Sequence, residues 1–148
     1  MSGPTCPLCA GATRVAFTKA ECTVRRCGVC DLWFTEGEWN VSQAHQFYGP
    51  TYFTGHEPIG YTNYSGLEAA LRATAERRLR RVPRGERLLD LGSGPGKFAE
   101  VARRRFNAIS VDISMHALRT ARARGLDVVV SDGGSLPFAS GSFDVVTI

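Results

Sequence analysis

Two groups of residues in this 148-residue chain have the types and spacing to do chemistry. The first is Asp90-Leu91-Gly92-Ser93-Gly94-Pro95-Gly96, an acid followed by glycines at alternate positions. Glycine admits positive φ and leaves the main chain open where a Cβ would block a ligand. A carboxylate ahead of such a turn favours a ligand bearing positive charge and repels a pyrophosphate. The second group is Cys6-x2-Cys9 and Cys27-x2-Cys30, with 17 residues between the pairs. That spacing suits a four-cysteine zinc site. Two tight turns would each present two thiolates on one side and together supply a tetrahedron. A closed set of four leaves no position for water, so the metal would be structural. Disulfides are the alternative, but nothing in the sequence points to secretion. Cys22 has no C-x2-C partner and reads as a small buried hydrophobe.

The elements that must position these residues follow from periodicity and punctuation. Residues 87–91 read as a buried strand. A helix starting near Pro95 then carries Phe98, Val101, Ala102 and Phe106 on one face, and its first N–H groups form an electropositive lip. Residues 108–112 form the next strand. Asp112 lies 20 residues after Gly92, where an acid bonds ribose hydroxyls in nucleotide-binding folds. Alternatively it opens a turn before Ser114, the N-cap of a helix that runs to about Arg124. Ala117, Leu118 and Ala121 face inward on that helix, and Gly125 stops it. Residues 128–132 and 144–148 are further strands. Ahead of the glycines, Leu67, Leu71, Ala75 and Leu79 recur every four residues on a helix spanning 67–82. Arg72, Arg77, Arg78, Arg80 and Arg81 cover its remaining face, either as a solvated surface or as one that meets RNA. Near the N-terminus, residues 13–18, 23–26 and 32–34 have strand composition, and Pro7 and Gly28 suit the cysteine turns.

The D-x-G-x-G-x-G turn resembles the first motif of the class I S-adenosylmethionine-dependent methyltransferases. The string Asp132-x3-Leu136-Pro137-Phe138-x3-Ser142-Phe143-Asp144-x-Val146 resembles the adenine-side segment of the same family. With Cys6-Cys9, Cys27-Cys30 followed by Leu32-Trp33-Phe34, and Phe47-Tyr48 with Tyr52-Phe53, the chain is similar to bacterial members that carry an N-terminal four-cysteine zinc ribbon. Those members are often associated with surface polysaccharide or natural-product assembly. The resemblance implies an α/β Rossmann-like sheet, of which four strands are present. It divides the chain into a zinc ribbon (1–36), an aromatic-rich connector or cap (37–66) and the start of a methyltransferase domain (67–148). S-adenosylmethionine would be the cofactor and Zn2+ the structural metal. Asp90 and Gly92 would hold the methionine part, with Ser93, Gly94 and Gly96 completing the turn. Asp112 would hold the ribose hydroxyls and Asp132 the adenine amino group. Ile113 would pack on the adenine, and Gly133 would offer a backbone N–H. No residue is identified as a catalytic base.

Tyr48, Tyr52, Phe53, Tyr61 and Tyr64 either pack the ribbon onto the main domain or cap the pocket. His45 and His56 lie in the same stretch without an identifiable partner. No apolar run approaches the ~20 residues of a membrane helix, and residues 1–12 lack the core of a signal peptide. A cytoplasmic protein with no membrane partner is expected. The net charge of +4 identifies no nucleic-acid binder. In the family's strand order, 3-2-1-4-5-7-6, the chain would end inside the fourth strand, which implies a fragment of a longer enzyme. Methyl transfer to a small-molecule acceptor, a sugar or natural-product intermediate, is the expected activity. An RNA-base methyltransferase and a non-catalytic remnant that binds zinc and cofactor are the alternatives.

Overall fold

The computed structural model describes residues 3–19, 22–37, 41–54 and 65–148. Its contacts divide the chain into two units, Met1–Trp39 and Asn40–Ile148.

In the first unit, strands β1 (Thr13–Lys19), β2 (Cys22–Cys27) and β3 (Trp33–Thr35) form an antiparallel sheet in the order β1-β2-β3. Cys6 and Cys27 are its buried apolar residues, whereas Val15, Phe17 and Trp33 stay about half exposed. The interior position on β2 is a charge. Arg25 is buried and donates from Nε to Thr13 Oγ1 (2.9 Å) and from Nη1 to Glu36 Oε2 (3.0 Å). Apolar burial this small does not support independent folding, so the cysteine cluster must contribute.

The second unit opens with α1 (Val41–Phe47) and α2 (Pro50–Thr54); a 3-10 turn (Ser65–Leu67) then leads into α3 (Glu68–Arg81). Strand β4 (Arg87–Leu91), helix α4 (Lys97–Ala102), strand β5 (Asn107–Asp112), helix α5 (Met115–Ala123), and strands β6 (Asp127–Val130) and β7 (Val145–Thr147) follow. The four strands are parallel in the order β6-β5-β4-β7, which is the 3-2-1-4 arrangement expected. Leu88, Phe98, Ala99, Val101, Phe106, Ala121, Leu126 and Val145 form the core. Burial of the Leu, Phe and Val side chains among them stabilises by roughly 1.5–3 kcal/mol each.

Several boundaries differ from the sequence expectation. Helix α4 begins at Lys97 rather than near Pro95, because Gly96 sits at φ 77° as its cap, and it ends at Ala102. Phe106 therefore lies beyond the helix, yet it is buried all the same. Leu67 precedes α3 and is 42% exposed, so it drops out of the apolar face that Ala75 and Leu79 keep. Strand β6 ends at Val130, which leaves Asp132 in the loop after it. Helix α5 matches its expectation, with Ser114 accepting from Ala117 N and Gly125 at φ 76°. His56 and residues 60–64 lie outside the described residues; His45 is exposed on α1.

Two side chains close the base of the sheet. The Asp144 carboxylate accepts from the Glu86 and Arg87 N–H groups, both at 2.9 Å. These bonds hold its pKa below the usual value and pin the segment ahead of β7 to the start of β4. The Arg105 guanidinium donates to the Leu79 (3.1 Å), Val82 (2.7 Å) and Pro83 (2.6 Å) carbonyls at the end of α3. A cation there adds a donor for carbonyls at the helix end, of which Leu79 O also accepts from Val82 N (3.2 Å). Arg105→Ala is expected to destabilise the second unit by about 1–2 kcal/mol, measured as a lower urea midpoint at unchanged slope.

Candidate functional site

A parallel sheet presents the carboxyl ends of its strands at one edge, and loops leaving that edge define the crevice where ligands bind. Here the edge carries a cavity of about 630 Å3. Its lining includes Asp90 on β4 with Gly92, Ser93 and Gly94 after it, Asp112 at the end of β5 with Ile113 after it, and Ser131, Asp132 and Gly133 after β6. The structure thus brings eight of the nine ligand-binding residues expected from sequence to one cavity. Gly96 is the exception. A Cβ on it would lie 2.5 Å from Leu126 Cδ1 and 2.9 Å from Ala121 Cβ, so this glycine permits the close approach of the turn to α5. Gly92 and Gly94 differ. Both have positive φ, and a Cβ on either would meet nothing within 4 Å, because both open onto vacant space.

The turn does not expose a row of free N–H groups. Ser93 N donates to Val111 O (3.0 Å), Gly94 N to Asp112 Oδ2 (2.7 Å) and Gly96 N to Ser93 O (3.0 Å). Of the lip expected from the first helical N–H groups, that of Gly96 is thus engaged by the protein's own acceptor. Asp112 opens the turn before Ser114, since its other oxygen accepts from Ser114 N (2.8 Å), and it also lines the cavity. Each carboxylate oxygen retains a lone pair for a ligand. Asp132 accepts from Gly134 N (2.9 Å), and the Gly133 N–H points to Ser131 Oγ (3.1 Å), with which a ligand would have to compete.

Asp90 is 3% exposed and accepts a hydrogen bond from Thr147 Oγ1 at 2.8 Å. Burial pushes its carboxyl up to about 6; Asp112 adds to the rise, while Thr147 and Arg78 oppose it. Lys97 is equally buried, but Glu68 and Glu100 (2.7 Å) neutralise it. Arg124 completes this network by donating to Pro95 O at 2.9 Å, which fixes the back of the turn.

Residues outside the expected cofactor contacts also line the cavity, among them three of the aromatics read as packing or as a cap. Tyr48, Tyr52 and Phe53 from α1 and α2 form one wall, and Leu71, Thr74 and Arg78 from α3 form another. Ser114 Oγ donates to Tyr48 O (2.6 Å), and Phe53 stacks on His116 with centroids 5.8 Å apart. The aromatic composition signalled that wall. Arg78 was hidden in a run of arginines, and no local signal marks Thr147.

In the first unit, the Cys6, Cys9, Cys27 and Cys30 sulfurs all lie within 4.8 Å of one another. Cys6–Cys30 and Cys9–Cys27 are separated by 3.6 and 3.5 Å, close to the ~3.8 Å edge of a zinc tetrathiolate. The two turns are copies. In each, the first cysteine's N–H bonds a carbonyl five residues on, at Gly11 (2.9 Å) and Leu32 (2.8 Å). In each, the N–H two residues on, Leu8 or Val29, points to the first sulfur. Positive φ falls at Ala10 and Asp31, just past each pair, and not at Gly28. The N–H groups of Cys30 and Val29 pull the Cys27 thiol down to about 6. The Leu32 N–H favours the Cys30 thiolate, but Cys9, burial, Cys6 and Cys27 together push that thiol up to about 12. Four thiols this close do not all ionise without a cation, and a bound metal would reverse that balance. Cys22 lies outside the cluster and is exposed, not buried as its type suggested.

The second unit has the Rossmann-like fold of the class I S-adenosylmethionine-dependent methyltransferases, and residues 89–148 match a family model described as a methyltransferase domain. The chain is 34% identical over 84 residues to demethylmenaquinone methyltransferase of Corynebacterium kroppenstedtii, covering 56% of this chain and 36% of that protein. It is 42% identical over 67 residues to the enzyme of the same name from Beutenbergia cavernae, covering 43% and 28%. It also superposes on Haemonchus contortus phosphoethanolamine N-methyltransferase 1, solved with phosphoethanolamine and S-adenosylhomocysteine. There the TM-score is 0.52 at 20% identity, over 78% of this chain and 27% of that one. The chain therefore spans about a third of the length of the first of these relatives.

The buried acid gives the site a pH signature. With a folded pKa of about 6 against the ordinary 3.8, Asp90 contributes its full stability only below the ordinary value. That contribution is lost as pH rises through about 6, at a cost of roughly 3 kcal/mol by linkage. Asp90→Asn is expected to melt at a higher temperature than the parent at pH 7.5. The difference should vanish near pH 4, as read by thermal unfolding across that range.

Proposed function

We propose that this chain forms the cofactor-binding part of an S-adenosylmethionine-dependent methyltransferase acting on a small-molecule acceptor, with an N-terminal zinc ribbon as a structural module. The observation that carries the reading is the cavity at the strands' carboxyl ends. Two glycines open onto it, three carboxylates line it, and the Ser93, Gly94 and Gly96 N–H groups of the turn are already engaged. That donor set suits a ligand with an ammonium and ribose hydroxyls and disfavours a pyrophosphate. When bound, the cofactor supplies an electrophilic sulfonium methyl group. The protein's own task is then to bind, orient and exclude water. In this reading Asp90 and Gly92 receive the methionine end, Asp112 the ribose and Asp132 the adenine amino group. Ile113 supplies an apolar contact for the adenine. The aromatic wall of Tyr48, Tyr52 and Phe53 shields the cavity on the side facing α1 and α2.

The acceptor class follows from two lines of support. The Corynebacterium kroppenstedtii and Beutenbergia cavernae relatives are named for demethylmenaquinone, a small molecule. The combination of four-cysteine ribbon and glycine turn resembles methyltransferases of sugar and natural-product assembly. The arginine run that suggested RNA is exposed, and three of its members make contacts within the fold. Arg72 pairs with Glu76 (3.5 Å), Arg77 donates to Thr74 (3.3 Å) and Arg78 lies over Phe98.

Calorimetry is expected to detect S-adenosylhomocysteine binding and no NAD binding. Gly94→Val should abolish the binding, since its side chain would project into the vacant space and disfavour the turn at φ 53°. NAD binding by the parent, or unchanged affinity in Gly94→Val, would refute the assignment.

The zinc reading rests on the thiolate spacing. One zinc per chain is expected by elemental analysis, and strong chelators should remove it with loss of the ribbon's fold. Cys22→Ser should leave the zinc content unchanged, whereas Cys27→Ser should lower it.

A further inference from the structure

S-adenosylmethionine ends in a zwitterion, so a pocket that discriminates it needs an acid and a base side by side. Among the described residues that line the cavity, two side chains are basic, Lys97 and Arg78. The Lys97 ammonium is buried and saturated by Glu68 and Glu100. Arg78 is exposed to the cavity and differently held. Its guanidinium carbon lies 4.4 Å from the Phe98 ring centroid, and Nη2 donates to Ile148 O at 3.2 Å. Stacking on an aromatic ring fixes the plane of the fork and leaves its remaining edges free to donate. Arg78 is also the cation whose field reaches Asp90. The two other carboxylates on the lining, Asp112 and Asp132, follow different strands. Arg78 and Asp90 thus line one cavity with opposite charges, Arg78 exposed and Asp90 almost fully buried beside the glycine turn.

We propose that Arg78 is a cofactor-binding residue that takes the carboxylate of the ligand's methionine moiety, beside the ammonium held at Asp90. The inference rests on the cofactor assignment above and adds to it a residue from α3, an element outside the glycine turn. A planar guanidinium matches a carboxylate with two parallel N–H bonds, which a lysine at the same place cannot reproduce.

The test compares two ligands on the full chain by calorimetry. S-adenosylhomocysteine carries the amino-acid end; 5′-methylthioadenosine lacks it. The parent should prefer the former. Arg78→Met should lose ~10–100-fold affinity for S-adenosylhomocysteine, the range for a charge-assisted pair, and change within about threefold for 5′-methylthioadenosine. Arg78→Lys, which keeps the charge and much of the stem, should retain part of the preference. Equal losses for both ligands in Arg78→Met, or a preference that survives in it, would overturn the proposal. So would a parent that binds both ligands equally, and in these cases the cofactor assignment would stand. A parent that binds neither ligand would instead overturn the cofactor assignment, and the role of Arg78 with it.

Discussion

Two backbone N–H groups, from Gly94 and Ser114, converge on one carboxylate, that of Asp112. Much of the second unit's active edge depends on this pair of bonds. One fixes the curvature of the glycine turn; the other sets the residue that caps α5. Ser114 then carries the constraint outward, because its hydroxyl both accepts from Ala117 N and donates to Tyr48 O. Turn, strand, helix and aromatic wall are thereby registered through two side chains. A carboxylate suits this role because charge-assisted bonds to backbone N–H groups are shorter and stronger than neutral ones.

The sheet and the turn were legible in the sequence because their signals are local. Strand β4, the acid ending β5, and Ser114 with Gly125 around α5 were each placed within a residue or two. Positions fixed by tertiary packing were less legible. Gly96 reads as a third ligand-facing glycine, but its reason is the contact with Ala121 and Leu126. Phe106 has helical spacing, but the helix stops short of it. Arg78 and Arg72 are indistinguishable in a charge run; only the fold reveals that one lines the cavity and the other pairs with Glu76. Thr147 acquires its role by lying beside Asp90 in the sheet register, 57 residues away in sequence.

The first unit illustrates a different balance. Its sheet is narrow, its buried interior holds Arg25, and Phe17 and Trp33 are half exposed. Two copied turns bring four sulfurs to near-tetrahedral spacing without a disulfide. The positive φ after each pair falls on Ala10 and Asp31, which are less suited to it than glycine. Asp31 is compensated by its ion pair with Arg26, which in turn lies over Trp33.

The pairing of β7 with β4 carries a kinetic meaning. Strands β4, β5 and β6 join neighbours about twenty residues apart, whereas Leu88 meets Val145 across nearly three times that distance. Closing the longer loop costs about 1 kcal/mol more chain entropy, and contacts of high sequence separation form late in a parallel sheet. Thr147 reaches Asp90 only through that last pairing. The Thr147 bond, which holds the Asp90 pKa down against the effect of burial, therefore depends on the pairing whose loop is costliest to close.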